Sequence, residues 1–165
     1  MITAATFSAD GTRSLAEAVA GLAHDGDVLL LAGDLGSGKT TFAQGFGRGL
    51  GVEEPITSPT FTLVRTYPGK LTLVHADLYR LDSVAEVEDL GLPELMDQGG
   101  VALVEWGDVA ASALAEQYLE VRLEMGPRPA ERQVEILTVG REWLFRAEAL
   151  KLATQPWRSP GRAAG

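Results

Sequence analysis

The sequence predicts an α/β fold, a three-layer sandwich in which helices cover a central mixed, largely parallel sheet. Residues 27–32 form a continuous apolar run between turn residues, which is typical of a strand buried on both faces. A glycine-rich loop and a helical pattern follow this run directly. Further strand patterns recur as far as residue 139, separated by turns or short helical stretches. Alternating elements of this kind indicate one sheet-centred domain.

The first elements precede the apolar run. We expect a short strand near residues 3–7. A helix is expected over residues 12–24, because Leu15, Val19 and Leu22 recur at helical spacing. The hydroxyl of Thr12 is the expected cap of this helix.

The helix after the glycine-rich loop is expected over residues 40–50. Its apolar stripe has the spacing of one helical face and consists of Phe42, Phe46 and Leu50. Three glycines weaken it by about 0.5 to 1 kcal/mol each relative to alanine. Close packing must therefore hold this helix, or its end frays. We favour close packing at these glycines, which are residues 45, 47 and 49.

The second half of the chain alternates strand patterns with turns. Pro68-Gly69 indicates a hairpin, which is why the sheet is expected to be mixed. A last helix is expected over residues 140–152. We assign residues 1–154 to a single domain and residues 155–165 to a flexible tail. The expected strands are 61–66, 71–76, 101–105, 118–123 and 133–139.

Composition limits the class of protein. The 14 Lys and Arg residues against 23 Asp and Glu give a net charge of −9. A broad basic surface that binds nucleic acid is therefore not expected. Any role with RNA should be indirect. The absence of cysteine excludes disulfides and thiolate metal sites. No charged start precedes a long apolar stretch, and no apolar run approaches the roughly 18 residues of a membrane span. We expect a cytoplasmic protein without a membrane segment.

The glycine-rich loop carries a nucleotide-binding motif, G-x-x-x-x-G-K-[ST], over residues 33–40. Backbone N–H groups of such a loop can point at phosphate oxygens, and the helix that follows adds its positive end. Lys39 is expected to neutralise phosphate charge, and the Thr40 hydroxyl suits Mg²⁺. A plain glycine-rich turn is the alternative. The motif predicts a P-loop NTPase-like fold whose phosphate-binding residues are Asp34, Leu35, Gly36, Ser37, Gly38, Lys39, Thr40 and Thr41.

Two acidic residues follow apolar strand patterns and are candidates for a metal site. Asp77 ends one pattern and Glu105 ends another, so both should lie at the carboxyl edge of the sheet, where the loop also opens. A solvated acid at a strand end is the alternative for each. A packed histidine explains His75 better than a ligand does. Trp106 could stack on an adenine, but a core indole is an equal explanation.

Residues 57–61, Thr-Ser-Pro-Thr-Phe, place several hydroxyls in a short proline-fixed loop after the P-loop helix. Such a loop could sense a γ-phosphate, as switch segments do. By composition alone, a plain turn is the better explanation.

Four segments in order carry a resemblance to a known family: residues 33–42, residues 58–64, residues 75–81 and Glu105-Trp106. Their sequences and spacing resemble the TsaE (YjeE) family of bacterial ATPases, which take part in making threonylcarbamoyladenosine in tRNA. The resemblance extends over about residues 12–106, and a later Arg132 resembles part of the family's final strand.

The resemblance implies a role for each of these residues. Thr40 and Glu105 would hold Mg²⁺, and Asp77 would be the Walker B-like acid needed for hydrolysis. Thr60 would act in catalysis from the switch loop, and Arg132 would lie near the nucleotide.

The family's partners are also implied. The chain would bind and hydrolyse ATP as a partner of TsaD-like and TsaB-like proteins, so that their complex can turn over, and it would meet tRNA only through that complex. Two departures from the family pattern are Ser37, where alanine is frequent, and Thr57, where lysine is common.

A P-loop is also compatible with other functions. A regulatory GTPase reads guanine through an Asn-Lys-x-Asp signature. The chain has no asparagine, so this signature cannot be present and a GTPase of this kind is excluded. A small-molecule kinase would need an acceptor pocket and an arginine-bearing lid, for which Arg80 and residues 81–97 are candidates. A non-enzymatic nucleotide-binding scaffold is the remaining alternative.

Overall fold

The computed structural model describes residues 1–59, 63–78, 81–105 and 115–159. Within this part of the chain the strands form one seven-stranded sheet. The strands are β1 (Ile2–Thr6), β2 (Val28–Ala32), β3 (Val64–Tyr67), β4 (Leu73–Asp77), β5 (Val101–Glu105), β6 (Tyr118–Met125) and β7 (Arg132–Val139).

The helices of the described residues flank this sheet. None of them has the length and apolar character needed to cross a bilayer. They are α1 (Ala9–Ala20), α2 (Lys39–Gly49), α3 (Val84–Asp89), α4 (Leu92–Asp97), α5 (Arg141–Phe145) and α6 (Ala147–Ala153), followed by a 3₁₀ turn (Gln155–Trp157).

The sheet has the order β1-β7-β6-β2-β5-β4-β3 and is mixed, as predicted. Its centre is parallel, because β2 pairs in parallel with both β6 and β5, and β5 pairs in parallel with β4. The edge pairings β3–β4, β6–β7 and β1–β7 are antiparallel. A short connection through Pro68-Gly69 joins β3 to β4, so the predicted hairpin is confirmed.

Two apolar cores lie on opposite faces of the sheet and make the fold three-layered. Successive residues of β2 alternate between them: Leu29 and Leu31 pack in the core that includes α1 and α2, and Leu30 packs in the core that includes α3 and α4. The three-layer sandwich with a P-loop NTPase-like arrangement is therefore confirmed.

The first helix begins earlier than its apolar spacing indicated. Ser8 is its N-cap, and its hydroxyl accepts a 2.9 Å hydrogen bond from the backbone N–H of Gly11. The prediction that Thr12 caps the helix is wrong. Thr12 lies inside α1, and its hydroxyl is 2.7 Å from that of Thr6.

The predicted helix over residues 140–152 is divided into α5 and α6, which meet at Arg146. The Arg146 guanidinium forms hydrogen bonds of 2.5 and 2.8 Å with the carboxylate of Asp27, just before β2. It also donates a 2.9 Å hydrogen bond to the carbonyl of Leu22 and lies over the face of the Trp143 ring, 3.8 Å from the ring centroid. Arg146 thereby ties the final helices to the start of the central strand.

Residues 155–159 differ from the flexible tail that was expected to begin at residue 155. Trp157 packs against the core on the α1 side, and Arg158 forms a bridge with Ala4 of β1. The backbone N–H of Ser159 donates a 3.1 Å hydrogen bond to the carbonyl of Thr3. These residues belong to the folded unit, and residues 160–165 lie outside the described part of the chain.

Helix α2 lies on α1 through its glycines, which confirms the predicted close packing. A methyl group on Gly45 would overlap the backbone of Arg13, and one on Gly49 would lie 2.8 Å from the carbonyl oxygen of Glu17. The contact advances by four residues on each helix, so the two helices run parallel. Gly47 makes a similar close contact on its other side with Ile56.

The first prediction concerns this contact. Gly45→Ala should destabilise the protein by about 1 to 3 kcal/mol, although alanine favours helices, because the added methyl has no space beside the α1 backbone. Denaturant unfolding measures the loss. Gly21→Ala is the matched control, because Gly21 follows α1 at a φ of −61° and its added methyl makes only ordinary contacts. Equal stability of Gly45→Ala and the wild type would contradict close packing.

Candidate functional site

The loop between β2 and α2 requires glycine for geometric reasons. Gly36 and Gly38 have φ values of 80° and 105°, which side chains disfavour. At Gly33, a Cβ atom would lie 2.5 Å from both the carbonyl oxygen of Leu123 and the hydroxyl of Ser37. The loop can therefore curl tightly at the carboxyl end of β2.

A cleft of about 440 Å³ opens at this loop, and we call it the loop cleft. Its size falls within the range of small-molecule sites. The phosphate-binding residues predicted from sequence line it, except Ser37. The lining residues are Gly33, Asp34, Leu35, Gly36, Gly38, Lys39, Thr40, Thr41, Ser58, Asp77, Glu105 and Arg132.

Two cationic side chains lie along the loop. The Lys39 ammonium donates hydrogen bonds of 2.6 and 3.1 Å to the carbonyls of Gly33 and Asp34. The Arg132 guanidinium, from the start of β7, donates a 3.3 Å bond to the carbonyl of Gly36. Positive charge from two separate elements therefore meets the curled backbone, an arrangement that suits a polyanion.

Two carboxylates form the opposite side of the loop cleft. Asp77 and Glu105 are paired residues at the ends of the parallel strands β4 and β5, so the predicted meeting of these acids at one sheet edge is confirmed. Glu105 is only 4% exposed. Burial, and next the charge of Asp77, raise the pKa of Glu105 to about 7, while Lys39 acts in the opposite direction.

The oxygen donors of this edge fit Mg²⁺, a hard cation that prefers oxygen ligands. A divalent cation would favour the charged form of Glu105, which burial disfavours. Among the described residues no group of three or more acidic or histidine side chains gathers as a metal cage. Proteins commonly hold Mg²⁺ with one or two protein ligands together with substrate phosphates and water.

His75 is fully buried beside Glu105. Its Nε2 atom lies 3.8 Å from Oε2 of Glu105, and within the described residues neither ring nitrogen has a hydrogen-bond partner. Burial lowers the pKa of His75 to about 4, so the ring is neutral near pH 7. The sequence predicted a packed His75 but not its contact with Glu105. The period of two along a strand puts His75 and Asp77 on one face, but it does not show that β5, which carries Glu105, lies beside β4.

Ser37 occupies the middle of the loop but does not line the loop cleft. Its hydroxyl is buried and has no hydrogen-bond partner among the described residues. Its backbone N–H donates a 3.0 Å bond to the carbonyl of Asp34. Any contribution of Ser37 to a ligand would therefore come through the backbone geometry of the loop.

Ser58 and Leu63 lie near the sheet edge formed by Asp77 and Glu105, which we call the acid edge. Ser58 lines the loop cleft, and the carbonyl of Leu63 accepts a 2.7 Å hydrogen bond from the backbone N–H of Asp77. Leu63 has a φ of 57°, which is unusual for a branched side chain and adds local strain. The hypotheses for Thr60, Arg80 and Trp106 concern residues outside the described part of the chain.

The parallel centre of the sheet, the curled loop after β2 and the acids on β4 and β5 define a protein of the P-loop NTPase-like class. A family model described as threonylcarbamoyl adenosine biosynthesis protein TsaE matches residues 6–134. The chain belongs to the TsaE family.

Individual relatives agree with the family model. The tRNA threonylcarbamoyladenosine biosynthesis protein TsaE of Bacillus subtilis is 40% identical over 146 residues, covering 88% of this chain and 90% of that protein. The protein of the same name from Treponema pallidum is 43% identical over 118 residues, covering 72% and 87%. The crystal structure of Bacillus subtilis YdiB superposes with a TM-score of 0.74 at 34% identity, covering 92% of this chain and 97% of that chain.

The second prediction follows from the buried carboxylate. Because the pKa of Glu105 is raised from 4.5 to about 7, the folded state binds more protons than the unfolded state between these values, and stability is lost as pH rises through this window. Without Mg²⁺, Glu105→Gln should therefore exceed the wild type in stability by about 1 to 3 kcal/mol at pH 8. Near pH 5 the difference should be small.

Denaturant unfolding in a chelating buffer, at pH 5 and at pH 8, measures the difference in the free energy of unfolding between Glu105→Gln and the wild type. The lowered pKa of His75 has the opposite sign: its contribution is lost as pH falls from 6.5 towards about 4. It is present in both proteins and largely cancels in the comparison. A Glu105→Gln protein that is less stable than the wild type at pH 8 would contradict a raised pKa of Glu105.

Proposed function

We propose that this chain is a Mg²⁺-dependent ATPase that acts in the biosynthesis of tRNA threonylcarbamoyladenosine. The observation that carries the proposal is the meeting of Lys39, Asp77 and Glu105 in one cleft at the carboxyl edge of the sheet. The family assignment supports the pathway, because the named relatives are tRNA threonylcarbamoyladenosine biosynthesis proteins.

Nucleotide binding is assigned to the loop. In this proposal the N–H groups of residues 34–41 and the positive end of α2 hold the phosphates, while Lys39 and Arg132 neutralise their charge. Thr40 and Glu105 would hold Mg²⁺. When bound, this ion would offset the charge that develops on phosphate oxygens during transfer.

Hydrolysis is assigned to the acid edge and the switch segment. Asp77 would position or deprotonate the attacking water, and the Thr60 hydroxyl would sense the γ-phosphate. The support for coupling between them is the hydrogen bond from the N–H of Asp77 to the carbonyl of Leu63, which links β4 to the segment that carries Thr60. A change at the γ-phosphate could thus be felt at the acid edge.

The output of such an ATPase would be a conformation recognised by other proteins. We assign TsaD-like and TsaB-like proteins as its partners, with tRNA reached through their complex. The switch segment is the loop at residues 57–61, which would have two conformations. A nucleotide shifts the equilibrium between them only to the extent that it binds one more tightly than the other. The absence of an asparagine, which removes the guanine-reading signature, favours ATP over GTP.

The third prediction tests nucleotide binding. Lys39→Ala should weaken ATP affinity by roughly tenfold to a hundredfold, because a charged hydrogen-bond donor to phosphate is lost. Calorimetric titration of the folded variant gives the affinity. Lys151→Ala is the control, since Lys151 is a partly exposed residue of α6 that pairs with Glu148 and does not line the loop cleft. Unchanged ATP affinity of Lys39→Ala would remove the basis of the nucleotide assignment.

The fourth prediction separates the roles of the two acids. Glu105→Gln keeps the side-chain shape but removes the charge, so nucleotide binding should become nearly independent of Mg²⁺. Asp77→Asn should keep that dependence and slow single-turnover hydrolysis by roughly a hundredfold or more. Titrations with and without Mg²⁺, together with single-turnover assays, compare the variants. The roles are reversed if Asp77→Asn abolishes the Mg²⁺ effect while Glu105→Gln retains it.

A further inference from the structure

His75 of β4 is a buried polar side chain that packing does not explain. Within the described residues neither of its ring nitrogens has a hydrogen-bond partner. Its neighbours on the same face of the sheet are Leu73, two residues earlier on β4, and Leu103, its paired residue on β5, and both are fully buried. An unpaired polar group in apolar surroundings lowers stability, so an aliphatic side chain would pack here at less cost. The imidazole therefore needs another explanation.

The carboxylate of Glu105 lies just beyond hydrogen-bond distance of this ring. Nε2 of His75 is 3.8 Å from Oε2 of Glu105. Glu105 follows Leu103 by two residues on β5, so the strand period puts the carboxylate and the imidazole on one face. A displacement of about 1 Å, which a change in a side-chain torsion supplies, would bring the two atoms to ordinary hydrogen-bond distance.

The residue beside His75 on the other neighbouring strand is engaged elsewhere. Arg65 of β3 is paired with His75 across the hairpin. Its guanidinium lies 3.3 Å from the hydroxyl of Thr57 and 3.8 Å from a carboxylate oxygen of Glu54. In the part of the chain that the structure describes, the acidic group within 4.0 Å of His75 is that of Glu105.

The chemistry of the ring suits a donor to this carboxylate. Burial lowers the pKa of His75 to about 4, so near pH 7 the neutral ring carries a hydrogen on one nitrogen only. With that hydrogen on Nε2, the ring can donate to Oε2 of Glu105. A hydrogen bond to a carboxylate is charge-assisted and stronger than one between neutral groups. Carboxylates that bind metal ions are commonly oriented by such bonds.

We infer that His75 is a positioning residue for Glu105, whose carboxylate it holds by an Nε2–H hydrogen bond in the orientation that binds Mg²⁺. This inference rests on the proposed function, which assigns Glu105 to Mg²⁺. His75 does not line the loop cleft, so it would act on the ion only through Glu105.

Three variants separate hydrogen bonding from packing. His75→Leu removes the donor and suits the apolar neighbours. His75→Gln keeps an amide N–H near the position of Nε2. Leu73→Met is the matched control, because Leu73 is buried on the same face of β4 and the substitution nearly conserves volume. Denaturant unfolding establishes that each variant is folded.

The measured quantity is the ratio of ATP affinity with saturating Mg²⁺ to ATP affinity in a chelating buffer, from calorimetric titration of the full chain. In His75→Leu this ratio should fall by roughly tenfold to a hundredfold, the range for loss of a residue that orients a metal ligand. The affinity without Mg²⁺ should equal that of the wild type. His75→Gln should recover most of the ratio, and Leu73→Met should keep it in full.

The position of the ring hydrogen is a second measurement, made on the wild type itself. The chain has two histidines, His24 and His75, so the NMR signals of His75 are those that His75→Leu lacks. The imidazole nitrogen shifts show which nitrogen carries the hydrogen. With Mg²⁺ and a non-hydrolysable ATP analogue bound, the hydrogen should be on Nε2. A hydrogen on Nδ1 would overturn the inference, because Nε2 would then have nothing to donate.

The titrations can overturn the inference in three ways. A wild-type ratio in His75→Leu, with the ratio lost in Glu105→Gln, would mean that His75 does not position Glu105 while the proposed function stands. An equal loss of ATP affinity with and without Mg²⁺, or no recovery in His75→Gln, would mean that His75 acts through packing. Wild-type ATP binding that ignores Mg²⁺ would reject the proposed metal role of Glu105 and this inference together.

Discussion

The close packing of α2 on α1 is the contact on which the site depends. Glycines at positions 45 and 49 bring the helix backbones together, and this fixes where α2 begins. The start of α2 in turn fixes Lys39 and Thr40 at the mouth of the loop cleft. The same contact holds α1 alongside α2, with Arg13 against Gly45 and Glu17 against Gly49.

The acid edge, unlike the contact between α1 and α2, contains buried groups that lower the stability of the fold. Glu105 is buried next to Asp77, and its raised pKa shows that the folded chain alone disfavours its charge. His75 lies beside it without a hydrogen-bond partner among the described residues. A buried polar group in this state costs about 1 to 3 kcal/mol. Such costs are common at functional sites, where chemistry rather than packing constrains the residues.

Sequence patterns predicted the features that depend on local spacing. The apolar run before the loop became the central strand β2, and Pro68-Gly69 became a hairpin, because burial and turn chemistry act over a few residues. The start of α1 was placed too late, since apolar spacing marks the buried face rather than the capping residue Ser8. Ser159 is held against Thr3 by a backbone hydrogen bond and by the Thr3 hydroxyl, and a contact between residues so far apart along the chain leaves no local pattern. The contact of His75 with Glu105 requires the pairing of β4 with β5, which one sequence does not specify.

We propose that nucleotide hydrolysis at the loop cleft drives a conformational change that other proteins recognise. The most direct measurement is steady-state ATP turnover by the wild-type chain alone and with the proposed partners, a TsaD-like and a TsaB-like protein. The account predicts slow turnover by the chain alone and faster turnover when both partners are present, with the acceleration dependent on Mg²⁺. Turnover that is the same with and without the partners would contradict it.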